Sequence, residues 1–177
     1  GTKFNIIAMF EIGDFSDIEE NGNTYEENAF LKAKYIYDKY KVPVISDDSG
    51  LEVEQLGGRP GVFSARYAGE GCSYDDNNNK LLAELQFFDE PHPAKFVCCA
   101  LFYDGSSKIA ETGELAGRIT HEKKGNFGFG YDPVFIPDGI DETMSELPIE
   151  RKNKLSHRSK AFQKLKNSLL KEAFNEN

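Results

Sequence analysis

The alternation of apolar and polar positions predicts a chain of strands and helices. Continuous apolar runs are typical of buried strands, and they occur at residues 4–10, 42–45, 96–103 and 134–136. The run at 96–103 (FVCCALFY) is almost entirely apolar, which indicates a strand covered on both faces. The segment 108–120 predicts a partner strand that completes a hairpin at the centre of the sheet. We expect its Gly113 and Gly117 to mark bulges or a bend.

Apolar residues at helical spacing predict three longer helices. Thr24 and Glu27 form a capping box, and the stripe that follows extends the first helix to about Tyr40. Ser73 and Ser156 are candidate N-caps of the second and third helices. The predicted buried side chains of these two helices are Leu81, Leu82, Leu85 and Phe88 in the second, and Phe162, Leu165, Leu169 and Phe174 in the third. Residues 143–146 predict a short helical turn that Pro148 ends.

The stretch 46–50 (SDDSG) contains two adjacent carboxylates, which are the first candidate functional residues of the chain. Asp47 and Asp48 follow the strand 42–45, so their side chains are expected to point to opposite sides near its carboxyl end. Open α/β sheets bind ligands at that end. We expect Ser49-Gly50, and then the glycines of 57–61, to turn the backbone. Two interpretations stay open, namely a magnesium and phosphate site or an acidic turn after a strand.

Composition narrows the class of protein. The 177 residues are 39% apolar, which predicts one domain with a real core. A net charge of −9 argues against general binding of nucleic acid polymers, and no apolar run has the length of a membrane span. The three cysteines, Cys72, Cys98 and Cys99, lack metal-type spacing. We interpret Cys98 and Cys99 as packed thiols, and we predict a reducing, cytoplasmic location.

Two further segments carry candidate binding residues. In 125–133 (GNFGFGYDP), aromatic residues alternate with glycine, which predicts either a wall for base stacking or a tight turn over buried aromatics. The segment 150–160 (ERKNKLSHRSK) places cations at a predicted helix start, against the helix dipole. We prefer an anion site there over a solvated basic face. Asn28 and Lys32, one turn apart, form either a surface pair or a support for a carboxylate or phosphate, and the residues alone favour the surface pair.

Several motifs together, in their order along the chain, closely resemble the inosine triphosphate pyrophosphatase family of house-cleaning enzymes. The matching segments are TYEENAFLKA at 24–33, SDDSGL at 46–51, GGRPG at 57–61, SARYAG at 64–69, FGYDP at 129–133 and SHR at 156–158. They cover nearly the whole chain.

This resemblance implies a fold and a reaction. The family has an α/β fold in which an elongated mixed β-sheet, flanked by helices, forms two lobes around a central cleft, and its members usually form homodimers. They hydrolyse aberrant purine nucleoside triphosphates (ITP, dITP and XTP) to the monophosphate and pyrophosphate, and they require Mg²⁺. A binding module without turnover, or a related pyrophosphatase for other modified nucleotides, remains the alternative.

The resemblance also implies roles for individual residues. Asp48 is similar to the general base that is linked to the metal, and Glu19, with Glu20 as fallback, to a second magnesium ligand. The positions that match substrate-binding residues are Ser49, Phe129, Gly130, Tyr131, Asp132, Lys152, His157 and Arg158. Asn28, Lys32 and Asp47 are secondary candidates. The family's early Thr-Gly/Asn-Asn-x-x-Lys motif does not occur here, so we expect residues 1–177 to form a single domain without the family's N-terminal strand and phosphate loop.

Overall fold

The structure is a computed structural model that describes residues 5–13 and 18–175. Its strands are β1 (Val44–Val53), β2 (Pro60–Gly61), β3 (His92–Tyr103), β4 (Lys108–Ile119) and β5 (Phe135–Pro137). Its longer helices are α1 (Tyr25–Tyr40), α2 (Tyr74–Leu85), α3 (Ile149–Leu155) and α4 (His157–Asn175). Phe4, and the side chain of Phe174, lie outside the described part, so their predicted roles stay predictions.

One five-stranded sheet, in the order β2-β1-β3-β4-β5, organises the described residues. Every neighbouring pair is antiparallel. The predicted α/β class, with a sheet flanked by helices, is confirmed, and the hairpin β3–β4 occupies its centre. Among the described helices, none has the length and apolar character that crossing a bilayer requires.

Helices α1 and α4 cover opposite faces of the sheet, because successive residues of a strand point to opposite sides. Leu101 of β3 packs against Ala29 and Ala33 of α1. Cys98 and Ala100 pack against α4 on the other face. Cys98 and Cys99 are buried free thiols, as predicted. A third, larger hydrophobic cluster forms the rest of the core, and it includes Leu51, Val53, Leu81, Leu85, Phe96, Leu115, Val134, Phe135 and Leu147.

The helix starts follow the predicted caps. Thr24 Oγ1 accepts a hydrogen bond from the backbone N–H of Glu27 at 3.1 Å, and α1 runs to Tyr40. Ser73 forms a reciprocal box with Asp76 at the start of α2. Ser156 Oγ accepts from the N–H of Ser159 at 3.1 Å in the first turn of α4. Capping therefore fixes where these helices begin.

The turn predicted at Ser49-Gly50 is wrong. Strand β1 runs straight through 46–50, because β3 pairs with it at every residue from Val44 to Val53. Asp47 and Asp48 consequently lie in the middle of the strand, although they do point to opposite faces. Glycine at position 50 serves close packing, since a Cβ there would lie 2.3 Å from the carbonyl oxygen of Gly61.

Three other expectations differ from the structure, and one helix was not predicted. Residues 5–10 form no strand, and Met9–Ile12 is a short 3-10 helix. Gly113 and Gly117 cause no bulge, because the β3–β4 register is unbroken. Helix α2 ends at Leu85 and leaves Phe88 42% exposed. Pro148 does end the turn at 144–146, but it also begins α3, a helix that was not predicted.

Candidate functional site

The predicted site residues form two groups on the two faces of β1. The first, which we call the carboxylate cluster, faces α1 and consists of Asp48, Asn28, Lys32 and Glu20. The second, which we call the aromatic–basic cluster, faces α4 and consists of Asp47, Ser49, Phe129, Asp132, Lys152, His157 and Arg158. Adjacent positions 47–49 of one strand connect the two clusters.

In the carboxylate cluster, the first turns of α1 hold the Asp48 side chain from both of its oxygens. Lys32 Nζ donates to Asp48 Oδ1 at 3.0 Å, and Asn28 Nδ2 donates to Asp48 Oδ2 at 3.3 Å. Asn28 is fully buried, and its Oδ1 accepts from the N–H of Gly22 at 2.8 Å. The surface pair that the sequence favoured is therefore wrong, and the alternative, a support for a carboxylate, describes these residues.

Burial and charge oppose each other at this carboxylate. Asp48 is only 7% exposed, and burial raises its pKa above the ordinary value, although the charge and hydrogen bond of Lys32 act in the other direction. For Lys32, burial alone would lower the pKa, but Glu20 and Asp48 raise it. The ammonium group is thus kept charged between two carboxylates, and Asp48 is a stronger proton acceptor than an exposed aspartate.

Glu20, the fallback residue, is the glutamate that the structure brings beside Asp48. Lys32 Nζ also donates to Glu20 Oε1 at 2.8 Å, whereas the side chain of Glu19 is exposed. Arg66, which the sequence analysis did not single out, donates from an Nη atom to the Glu20 carbonyl at 2.8 Å. Only the SARYAG motif signalled Arg66. Residues 20–22, just before α1, are therefore held next to β1.

The donor set of the carboxylate cluster suits a hard cation. The described residues contain no group of three or more His, Cys, Asp or Glu side chains that could hold a metal ion. Asp48 and Glu20 nevertheless supply carboxylate oxygens on either side of Lys32. Mg²⁺ commonly uses one or two protein carboxylates and takes its other ligands from water and substrate phosphates. This pair fits such a partial site.

In the aromatic–basic cluster, Asp47 fixes the guanidinium of Arg158. Arg158 Nε donates to Asp47 Oδ2 at 2.9 Å, and Ser49 Oγ donates to the same oxygen at 3.3 Å. The guanidinium carbon lies 5.7 Å from the centre of the Phe129 ring. This contact joins β1, α4 and the glycine-aromatic loop at one point.

Asp132 and Lys152 form a buried ion pair below the same loop. Lys152 Nζ donates to Asp132 Oδ2 at 2.6 Å, and the N–H of Phe129 donates to that oxygen at 3.3 Å. Gly128 has φ +106°, and a Cβ there would lie 2.2 Å from Asp132 Oδ2. Glycine is required at this position because the loop passes directly over the ion pair.

His157 is neutral at physiological pH and has an unused polar atom. The imidazole is 9% exposed and stacks on Phe96 at 4.8 Å between ring centres. Burial, and then the charge of Arg158, lower its pKa to about 4, although Asp47 opposes the shift. Nδ1 is buried and has no hydrogen-bond partner among the described residues. Such an atom is costly to leave unpaired, which makes it a candidate contact to a ligand, and Tyr25 Oη and Asn78 Oδ1 share this property.

The aromatic residues of the glycine-aromatic loop are divided between exposed and buried positions. Phe127 and Phe129 are 69% and 55% exposed. Tyr131 is buried, and its hydroxyl donates to the carbonyl of Ser64 at 2.9 Å. Gly130 contributes its carbonyl, which accepts from Asn78 Nδ2 at 2.9 Å. The wall for base stacking stays a prediction, while Tyr131 anchors the loop from below, as the interpretation of a tight turn over buried aromatics expects.

Four cations of segment 150–160 have partners within the protein. Besides the pairs with Asp132 and Asp47, Arg151 pairs with Glu142 at 3.1 Å, and Lys160 Nζ donates to the carbonyl of Glu114 at 2.9 Å. Protein carboxylates therefore supply much of the negative charge that we expected from a bound anion. The anion site itself stays a prediction.

Comparisons with known proteins agree with these motifs. A sequence model described as the Ham1 family matches residues 2–168. A protein of Caldanaerobacter subterraneus subsp. tengcongensis, described as dITP/XTP pyrophosphatase, is 49% identical over 173 residues, which are 97% of this chain and 86% of that protein. A Bacillus subtilis protein with the same description is 44% identical over 164 residues, covering 92% of this chain and 83% of that one.

Solved structures show the same relationship. The Staphylococcus aureus Ham1 protein superposes with a TM-score of 0.84 at 42% identity, covering 93% of this chain and 85% of that chain. A HAM1 protein from Coxiella burnetii gives a TM-score of 0.85 at 35% identity, covering 92% and 84%. The family match, the sequence relatives and the fold all agree, and the chain belongs to the Ham1 family.

Proposed function

We propose that this protein hydrolyses aberrant purine nucleoside triphosphates, namely ITP, dITP and XTP, to the monophosphate and pyrophosphate. The relatives described as dITP/XTP pyrophosphatase support this assignment. The observation that carries it is the buried Asp48 carboxylate, which has a raised pKa and is held by Lys32 and Asn28 beside Glu20. A buried, precisely oriented carboxylate is a suitable base for activating water.

In the proposed reaction, Asp48 takes a proton from a water molecule whose oxygen attacks the α-phosphorus. The bond from that phosphorus to the bridging oxygen breaks, and pyrophosphate leaves. The charge of Lys32 stabilises the negative charge that develops on the phosphates. Asp48 and Glu20 would hold Mg²⁺, with Glu19 as a further candidate. When bound, Mg²⁺ lowers the pKa of coordinated water and screens the triphosphate.

The aromatic–basic cluster supplies contacts for the purine. Phe129 offers an exposed ring face for stacking. Lys152 has further ammonium hydrogens beyond the one directed at Asp132, and it can donate to the O6 of a 6-keto purine. The neutral imidazole of His157 leaves Nδ1 for a second polar contact. A site built for O6 rejects adenine, whose amine would leave these donors unpaired, and it rejects guanine when the 2-amino group of that base meets no hydrogen-bond acceptor.

The two clusters are close enough to serve one nucleotide. Asp48 and Asp47 are adjacent residues, so their Cα atoms are about 3.8 Å apart. Within the described part of the chain, β1 has no strand on its outer side over 44–50, since β2 pairs only with Leu51 and Glu52. We place the triphosphate at the carboxylate cluster and the base at the aromatic–basic cluster. A homodimer and a cytoplasmic location are further proposals from the family resemblance.

The test is pyrophosphate release from ITP, XTP and GTP, with and without Mg²⁺, by the protein and by Asp48→Asn. We expect Mg²⁺-dependent release from ITP and XTP, with GTP turned over far more slowly. Asp48→Asn should lower kcat for ITP at least about a hundredfold, because a positioned general base contributes about that much.

Asp38→Asn is the matched control, because Asp38 is an aspartate on the exposed end of α1 that pairs with Lys34 and Lys41. Its turnover should equal that of the unmodified protein. Absence of release from every triphosphate would remove the proposed function. Binding of ITP without release would assign a nucleotide-binding module instead, and near-normal turnover by Asp48→Asn would move the general base elsewhere.

A further inference from the structure

Two adjacent asparagines of α2 are buried, although asparagine is usually exposed. Asn77 and Asn78 are each 2% exposed, and neither belongs to the proposed catalytic or substrate contacts. Asn78 Nδ2 donates to the carbonyls of Tyr74 and Gly130, both at 2.9 Å. Two acceptors facing one end of the amide require the NH₂ group there, so the orientation of this side chain is determined. Asn78 thus uses both N–H groups, one of them on the glycine-aromatic loop.

The glycine-aromatic loop has a second attachment, which connects it to β1, the strand that carries Asp48. Tyr131 donates its hydroxyl to the carbonyl of Ser64 at 2.9 Å. Ser64 Oγ accepts from the N–H of Leu51 at 2.8 Å and donates to the carbonyl of Gly61 at 2.6 Å. Leu51 lies three residues after Asp48 in β1. The hydrogen bonds of Asn78 and Tyr131 therefore attach consecutive residues of the loop to α2 on one side and to the catalytic strand on the other.

The backbone between Gly128 and Gly130 needs such attachments. Both glycines have positive φ, +106° and +60°, and glycine has the largest conformational freedom of any residue. Phe129, which lies between them, is 55% exposed and makes its ring contact with Arg158. Packing alone does not fix the exposed ring, so the carbonyl of Gly130 is a point at which a hydrogen bond limits its movement.

We propose that Asn78 is a positioning residue for purine recognition, which it serves by holding the Gly130 carbonyl and thereby the Phe129 ring and the Asp132–Lys152 pair. This proposal rests on the proposed function, because it assumes that the loop receives the base. In this proposal Asn78 acts through the loop and not by contact with the substrate, although its Oδ1 atom is buried and has no hydrogen-bond partner among the described residues. Its effect is on the geometry of the base site, and the carboxylate cluster on the other face of β1 is left unchanged.

The kinetic test uses Asn78→Ala. Loss of this hydrogen bond should raise KM for ITP about tenfold, which corresponds to the loss of one well-formed hydrogen bond, while kcat changes less than about threefold. The ratio of kcat/KM between ITP and GTP should fall, because a loosened loop discriminates less between the two bases. A change in kcat alone, with KM and the ITP/GTP ratio preserved, would overturn the proposal.

Two neighbouring asparagines provide matched controls. Asn79 is exposed and forms hydrogen bonds with Asp75 and Lys123. Asn79→Ala should therefore leave KM, kcat and the ITP/GTP ratio unchanged. Asn77 is as buried as Asn78, but it bonds to Ala65 and Ala68 instead of the loop. Asn77→Ala should lower the melting temperature by a similar amount and keep the ITP/GTP ratio. An equal fall of the ITP/GTP ratio in Asn77→Ala and Asn78→Ala would mean that this ratio follows the general stability of the fold. That result would overturn the specific role of the hydrogen bond between Asn78 and Gly130.

A second measurement does not depend on turnover. Hydrogen–deuterium exchange should become at least about fivefold faster in 125–133 of Asn78→Ala, since its amides lose a structural constraint, with no change in β3. Unchanged exchange in that segment would contradict the proposal even if the unmodified protein released no pyrophosphate. Absence of release by the unmodified protein, combined with faster exchange, would instead remove the proposed function and retain the attachment.

Should Asn78→Ala fail to fold, Tyr131→Phe removes the other attachment and keeps the buried ring. This variant should show the same rise in KM and the same faster exchange in 125–133. Normal KM and exchange in Tyr131→Phe, together with an unfolded Asn78→Ala, would assign Asn78 to folding and overturn its positioning role.

Discussion

At the scale of single residues, His157 links the site to the stability of the protein. Its folded pKa of about 4 lies below the unfolded value of 6.5, so between these two values the unfolded chain binds a proton that the folded chain excludes. The free energy of unfolding should therefore decrease as the pH falls from 7 towards 4.5, and His157 should account for about 2–3 kcal/mol of that decrease. Urea denaturation at both pH values measures it.

The comparison variants are His157→Asn and His121→Asn. His121 is exposed, with a side-chain accessibility of 71%, and its contact with Glu90 at 3.5 Å is exposed as well, so its removal should change the pH dependence far less than removal of His157. In His157→Asn, the free energy of unfolding should change less between pH 7 and pH 4.5 than in the unmodified protein, by about 2–3 kcal/mol. An identical pH dependence in all three proteins would show that His157 accepts a proton in the folded state as easily as in the unfolded chain.

The sequence predicted residues of the site better than their arrangement. It singled out Asp48, Arg158 and Lys152 because carboxylates and cations carry recognisable chemistry. It preferred Glu19 to Glu20, whereas Glu20 is the residue that pairs with Lys32, since nothing local decides which of two adjacent loop side chains turns towards α1. Asn78 was missed for a related reason, because an asparagine within a polar run such as 75–79 gives no sign that it is buried.

At the scale of elements, capping residues were informative and turn-forming residues misled. Thr24 and Ser73 marked helix starts correctly, because their hydrogen bonds are local. The residues of 46–50 have low strand propensity, yet pairing with β3 holds them extended, and this is a long-range effect. Gly113 and Gly117 were interpreted as bulges or a bend, whereas they allow the close approach of α4 and β5, which the strand pattern cannot reveal.

Gly113 sets the distance between β4 and α4. A Cβ at this position would lie 2.2 Å from the carbonyl oxygen of His157 and 2.4 Å from the nitrogen of Ala161. Both are backbone atoms, so Gly113→Ala must displace the start of α4. We expect a loss of about 2 kcal/mol in the free energy of unfolding and a raised KM for ITP, because His157 and Arg158 move together.

The matched control for Gly113→Ala is Thr112→Ala, at an exposed position of the same strand. Thr112→Ala should lower the free energy of unfolding by no more than about 1 kcal/mol, and its KM for ITP should equal that of the unmodified protein. Chemical denaturation and steady-state kinetics test both variants. If Gly113→Ala keeps normal stability and KM, the first turn of α4 adjusts without cost, and the close packing of this helix does not position the aromatic–basic cluster.

At the scale of the whole molecule, the sheet divides the site into two chemically different halves. The carboxylate cluster lies on the face of α1, and the aromatic–basic cluster lies on the face of α4. We therefore expect fragments of the substrate to report on the halves separately. Asp48→Asn should weaken binding of pyrophosphate with Mg²⁺ about tenfold, through loss of a charged ligand, and leave binding of inosine within about twofold. Ligand-detected NMR titration measures both affinities.

Phe129→Ala should have the opposite pattern, because a stacked ring contributes about 1–3 kcal/mol to binding of a base and nothing to binding of pyrophosphate. Phe127→Ala is its control, since Phe127 is exposed in the same loop, and the ring that Arg158 covers is that of Phe129. That variant should bind both fragments normally. If Asp48→Asn and Phe129→Ala each weakened both fragments equally, triphosphate and base would share one cluster, and the division of the site by β1 would have to be abandoned.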